Sequence, residues 1–363
     1  MAIRYCSFAT RGYHLRQWMQ MMSLRLADSS VELSCWNLNR LEREGIREAI
    51  PWFDPNLQGA GFWVWKPFII LKELEHLEEG DYLLYTDAGR PPGRLFHHSL
   101  EPFVQWLREK GQDMMPGVNI SYYTGGLTRW CKQSVFDELK LDSGSFEQAP
   151  LIQGSFLFLK KSEQSLRILR EWMDLCRQFK LVSSATTEEE SRCRDNFVAH
   201  THDQTLLSLV AAQHHLDCLY SGKGVIHLEG RRAFERHPGF DDKDPDRFLE
   251  ELGAKKAEHP LMPVLCCMQQ AFFLYEKAMN KLMKLAGLRP LAGFTVDGRL
   301  CAEGEFACFG LRDGSLRPAM DENKKSAGKT GAWKGSFPCG FYQEASNLGI
   351  GVPLPPGLFS GTL

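Results

Sequence analysis

The sequence predicts an α/β fold: a mostly parallel central sheet flanked by helices, followed by a loop-rich C-terminal extension. Three observations lead there. Over the first 230 residues, short apolar runs alternate with amphipathic segments. Hydrophobic residues make up 43% and charged residues 24% of the 363, enough apolar surface for a core and too much for global disorder. From about residue 287 the composition changes: the last 77 residues hold 14 of the 32 glycines and 6 of the 18 prolines, without a sustained helical period.

Each element can be read in order. Ile3–Ala9 is a strand, and Leu15, Trp18, Met19, Met22 and Leu26 then share one helical face. Val31–Trp36 is a second strand. Pro67 suits the first turn of a helix carrying Phe68, Ile70, Leu71, Leu74 and Leu77, which stops at Gly80-Asp81. Tyr82–Tyr85 is a short apolar strand ending in Thr86-Asp87-Ala88-Gly89. Leu100, Phe103, Val104 and Leu107 mark a further helix, and residues 130–139 another. Leu151–Leu159 is a buried strand interrupted by Gly154, followed by a helix from about Ser162 to Phe179. The domains expected are a catalytic one over 1–260, a helical connector over 261–287 and the Gly/Pro-rich extension over 288–363.

Charge and cysteine usage exclude several classes. Lys plus Arg total 43 against 45 Asp plus Glu, a net charge of -2, which leaves no electrostatic footprint for nucleic acid. The eleven cysteines are odd in number, scattered and free of any CxxC pair, so reduced thiols and a cytoplasmic setting are expected. No charged n-region precedes an apolar stretch at the N-terminus, and no window approaches the ~18 apolar residues of a membrane span. Peripheral association with a membrane stays open.

Four clusters carry candidate chemistry. Asp87 follows an apolar strand and precedes two small residues, where an open sheet binds ligands and where a carboxylate can hold Mg²⁺ or Mn²⁺. An Asp that opens a turn reads the same way. His200-Thr201-His202-Asp203-Gln204 precedes an apolar helix, and Asp203 also suits its N-cap. Gly61-Phe62-Trp63-Val64-Trp65-Lys66-Pro67 offers two indoles and a cation at a helix entrance, for stacking and phosphate contact, or else core tryptophans and a solvated lysine. Arg129, Trp130 and Lys132 form a fourth cluster on a helix.

In their order along residues 1–230, these segments resemble a bacterial family of nucleotide-diphospho-sugar transferases of the GT-A type. The resemblance rests on residues 61–67 and 80–89, Arg129-Trp-Cys-Lys132, Gly154 with Lys160-Lys161-Ser162, Glu171-Trp172, and His202-Asp203-Gln204 followed by Ser208-Leu209. It implies a Rossmann-like GT-A sheet and transfer of a sugar from a nucleoside-diphosphate donor to a glycan or lipid-linked acceptor. It also implies a divalent cation, Mn²⁺ or Mg²⁺, on the diphosphate, at an Asp-x-Asp motif. Asp87 falls in that place, but Tyr85 and Gly89 leave one carboxylate where the family has two. His227, after Gly224-Val-Ile, is similar to a late metal-completing histidine. Asp203-Gln204 resembles the pair beside the reacting sugar in retaining enzymes. By the same resemblance Thr10 and Tyr13 lie where base and ribose bind, Trp65 and Lys132 line the donor site, and Lys66 meets the diphosphate.

Two rival classes share these residues. A carbohydrate-active hydrolase would use Asp87 and Asp203 as an acid/base pair. A non-catalytic carbohydrate-binding protein would use Trp63, Trp65 and Trp130 as aromatic platforms.

Overall fold

The computed structural model describes residues 1–10, 13–88, 96–119, 126–221, 253–285, 309–312 and 315–318. The chain divides into two compact units, Met1–Arg317 and Pro318–Leu363. The first is built on six strands: β1 (Ile3–Phe8), β2 (Glu32–Trp36), β3 (Tyr82–Thr86), β4 (Met114–Asn119), β5 (Phe156–Lys160) and β6 (Leu219–Ser221), in the order β2-β1-β3-β5-β4-β6. The pairings β1–β2, β1–β3 and β4–β6 are parallel, whereas β5 runs antiparallel to β3 and β4. The α/β class is therefore as expected, with one reversed strand in its middle. Two short strands, Phe309–Arg312 and Ser315–Pro318, pair with each other.

The helices that cover the sheet are α1 (His14–Ala27), α2 (Trp65–Glu75), α3 (Glu101–Lys110), α4 (Gln133–Glu138), α5 (Glu163–Cys176), α6 (His202–Gln213) and α7 (Met262–Leu285). Strand alternation explains why both faces are covered. Tyr82 and Leu84 join Phe103, Val104, Phe156 and Phe158 in one core, while Leu83 and Tyr85 join Phe68, Ile69, Leu157 and Trp172 in the other. The expected helix after β5 begins at a capping box, in which Ser162 and Ser165 exchange 3.1 Å backbone–hydroxyl bonds. It ends at Cys176 rather than near Phe179, and the short turn Phe179–Val182 follows separately. β4 was missed because Met114-Met-Pro-Gly lacks both alternation and β-branched residues.

The helix α1 keeps only part of the expected face inward, with Met19 buried and Met22 and Leu26 half-buried. Leu15 and Trp18 are exposed, whereas Arg16, Gln17, Gln20 and Ser23 are buried with Met19 and Leu24. The polar residues go inward because each finds a partner there. The Gln17 amide donates to the carbonyls of Ser7 (2.7 Å) and Trp36 (3.0 Å), and Arg16 pairs with Glu276 of α7 at 3.2 Å. Hydrogen bonding offset the desolvation that periodicity alone would forbid.

Candidate active site

The site forms beyond the end of β3. The Asp87 N–H donates to the Ser155 carbonyl (3.0 Å), and the Gln20 amide of α1 donates to the Asp87 carbonyl (3.2 Å). Tyr85 lies two residues earlier on the same side of the strand, and its hydroxyl donates to Asp87 Oδ1 at 2.5 Å. Burial, then the neighbouring Asp87 charge, pushes the Tyr85 phenol well up, so it remains a donor.

Lys66 reaches Asp87 from α2. It is only 3% exposed, and its Nζ lies 3.4 Å from Asp87 Oδ2 and 3.5 Å from Asp203 Oδ2. The ammonium also lies 5.9 and 5.8 Å from the rings of Trp63 and Trp65. The chain enters α2 through a left-handed turn: φ is +61° at Gly59, +54° at Ala60, +99° at Gly61, +53° at Phe62 and +58° at Trp63. Such a run costs about 1–2 kcal/mol for each non-glycine residue. It aims Trp63 and Lys66 at the same place, and the Phe62 ring stacks on His202 with centroids 4.7 Å apart.

The third side comes from α6. Thr201 holds the N-cap position, so Asp203 lies inside the first turn. Its carboxylate faces Lys66, and its carbonyl accepts the Trp172 indole N–H at 2.9 Å. His202 has a φ of +53°, and its Nδ1 lies 2.8 Å from the Val182 carbonyl. Burial, the largest effect, brings the His202 pKa down to about 4, and it drives that of His200 well down too. Gly154 closes the floor. A Cβ there would lie 3.2 Å from Asp203 Oδ2, 3.3 Å from Lys66 Nζ and 3.9 Å from Gln204 Cβ.

The structure thus brings together Lys66, Asp87, Asp203 and the start of Gln204, residues separated by most of the domain. It places others elsewhere. Lys132 is buried against Glu189 (3.1 Å) and Ser183 (3.4 Å), an ion pair away from the Lys66 ammonium. Trp65 packs on Phe8 (centroids 4.1 Å) and gives its indole N–H to the Gly59 carbonyl, and Trp130 is fully buried; neither presents an open platform. Thr10 and Tyr13 close a turn after β1 through a 3.0 Å backbone bond, with the Arg16 guanidinium over the Tyr13 ring. His227 lies outside the described residues.

Sequence reading missed Gln20, Tyr85 and the role of Gly154 as a wall of the cluster. The strand period relating Tyr85 to Asp87 was legible. Gln20 was not, since a buried amide interrupts an apolar helix pattern without announcing its partner.

The implied cation can be tested against the donors. Among the described residues no three His, Cys, Asp or Glu side chains converge as a metal site. Asp87 accepts a hydrogen bond from Tyr85 on one oxygen and turns the other toward Lys66, an ammonium placed between Asp87 and Asp203. The described residues supply two carboxylates, Asp87 and Asp203, no dedicated cage but within the one or two that hold a divalent ion where substrate phosphates complete its shell.

No protein-family model matches the chain. No curated protein matches it either. Among solved structures, the chain is similar to the galactosyltransferase LgtC in complex with donor and acceptor sugar analogs, at 15% identity and a TM-score of 0.29, over 58% of this chain and 70% of that one.

Proposed function

We propose that this protein is a glycosyltransferase that moves a sugar from a nucleoside-diphosphate donor to a glycan or lipid-linked acceptor. The observation that carries the reading is the convergence of Asp87 and Asp203 on the single Lys66 ammonium beside the bare backbone of Gly154. The place of this cluster, beyond the carboxyl end of β3, is where open α/β sheets take their ligands.

The charges assign the roles. Among the described residues one ammonium meets two carboxylates, a donor beside acceptors that suits hydroxyl groups. Lys66 and Asp203 therefore hold the hydroxyls of the transferred sugar, Lys66 donating and Asp203 accepting. As the bond to the diphosphate stretches, the anomeric carbon gains positive character, and the Asp203 carboxylate and the Gln204 amide stabilise it in a site stripped of water. This pair favours retention at the anomeric carbon. Asp87, held by Tyr85 and Gln20, fixes Lys66 in the sugar pocket. No step here runs through a metal ion.

The test is a thermal-shift and calorimetric screen of UDP-, GDP- and CMP-sugars, with and without Mn²⁺, on the wild type and on Asp203→Asn. Stabilisation of the wild type by one donor, with loss in the variant, supports the reading. Stabilisation by free glycan without any nucleotide response makes the protein a carbohydrate binder instead, and turnover of a glycan without a donor makes it a hydrolase.

A further inference from the structure

We infer that the outer face of α7, continued by α1, binds the surface of an anionic lipid bilayer. The helix α7 carries two different apolar sides. The inner side, with Leu265 and Gln269 buried, is locked to α1 by the ion pair of Glu276 with Arg16. The outer side is exposed among the described residues: Val264, Met268, Tyr275 and Leu282 follow at intervals of four, seven and seven residues, so they form one stripe along the helix. All four are about half exposed, Tyr275 at 57% and Leu282 at 58%. The outer side of α1 adds Leu15 and Trp18, the latter 41% exposed. Isolated apolar side chains at a surface need no explanation, but a continuous stripe on two packed helices does.

Charge chooses the occupant. Neither helix contains an acidic residue other than Glu276, and Arg16 neutralises that one. The charged side chains left facing solvent on α7 are cationic, Lys277 and Lys281, and on α1 Arg25 is exposed as well. An apolar stripe on two helices whose described solvent-facing charges are cationic, with a tryptophan and a tyrosine in it, is the composition of a helix that lies in the headgroup plane of an acidic membrane. A second copy of the same face would bring like charges together. The helix lies on the membrane rather than across it: among the described residues no helix is long and apolar enough to span. The proposal does not depend on the sugar-transfer reading.

Co-sedimentation of the full chain with phosphatidylcholine vesicles, with and without phosphatidylglycerol, tests it. Binding is expected to the anionic vesicles and to fall in high salt. Lys277→Glu/Lys281→Glu should lower the partition coefficient about tenfold or more, at roughly 1 kcal/mol per basic residue near the surface. Met268→Ser/Leu282→Ser should lower it at least as far, and as exposed changes both pairs should leave the melting temperature nearly unchanged. Absence of binding to anionic vesicles, or equal binding by wild type and variants, overturns the proposal. So does a self-associated wild type in sedimentation equilibrium that Met268→Ser/Leu282→Ser converts to monomer without lipid, which assigns the face to a second copy.

Discussion

Gly154 lies directly against the Asp203 carboxylate and the Lys66 ammonium, since a methyl group there would sit 3.2 Å from Asp203 Oδ2 and 3.3 Å from Lys66 Nζ. Both neighbours are ends of side chains, so they can give way without unfolding the chain. Gly154→Ala is therefore expected to fold with a melting temperature within a few degrees of wild type, and to lose about tenfold or more in donor affinity by calorimetry. An unchanged affinity would remove Gly154 from the site.

Lys66 lies between two carboxylates, and its removal takes a buried counter-charge from both. Lys66→Met should destabilise the protein by about 3–5 kcal/mol in urea unfolding at neutral pH, the cost of leaving a buried charge unpaired. Lys66→Met/Asp203→Asn should recover part of that loss, because the amide needs no counter-ion. If the double variant is as unstable as the sum of the singles, the two residues are not coupled.

The left-handed turn before α2 depends on its glycines. A Cβ at Gly59 would stand 2.2 Å from the Trp63 ring, and one at Gly61 2.7 Å from Phe53, with φ positive at both. Each change to Ala should cost about 2 kcal/mol or more by denaturant unfolding. Gly80→Ala, at a positive φ with open space around it, should cost about 1–2 kcal/mol. Equal losses at all three positions would mean that the Trp63 and Phe53 contacts contribute nothing.

Buried histidines make stability pH-dependent. The folded state holds His202 near a pKa of about 4, against a usual value near 6.5, through burial first. The unfolded chain thus binds more protons in this window, and stability falls as pH drops from about 6.5 to about 4, by up to about 3 kcal/mol from His202. His200, depressed in the same direction, adds to the fall. At Glu189 burial works upward, but the Ser134 hydroxyl, the Thr186 N–H and Lys132 together bring the carboxyl to about 2. Its contribution is present above about pH 4.5 and is lost toward pH 2. Urea unfolding against pH should show a smaller slope between 6.5 and 4 for His202→Asn, a residue that tolerates the positive φ; an unaltered slope would place the proton uptake elsewhere.

How much of this was legible depended on the kind of interaction. The apolar strand Tyr82–Thr86 and the helix from Pro67 could be read directly, because burial of one or both faces writes a period into the chain. Asp87, Lys66 and Asp203 stood out singly, as charged residues at the ends of apolar segments. Their meeting did not, since no local rule relates positions so far apart. Asp203 looked like a helix cap, and only the folded chain shows Thr201 in that place and the carboxylate turned to Lys66.

By itself, then, the order of residues determined the α/β class and the candidate charges, because local periodicity and hydropathy are properties of neighbours. Tertiary structure alone decided which side of α1 goes inward, where β5 reverses, that Lys132 serves Glu189, and that one ammonium joins two distant carboxylates. Those outcomes turn on whether a polar group leaving water finds a partner, and the partner comes from another part of the chain.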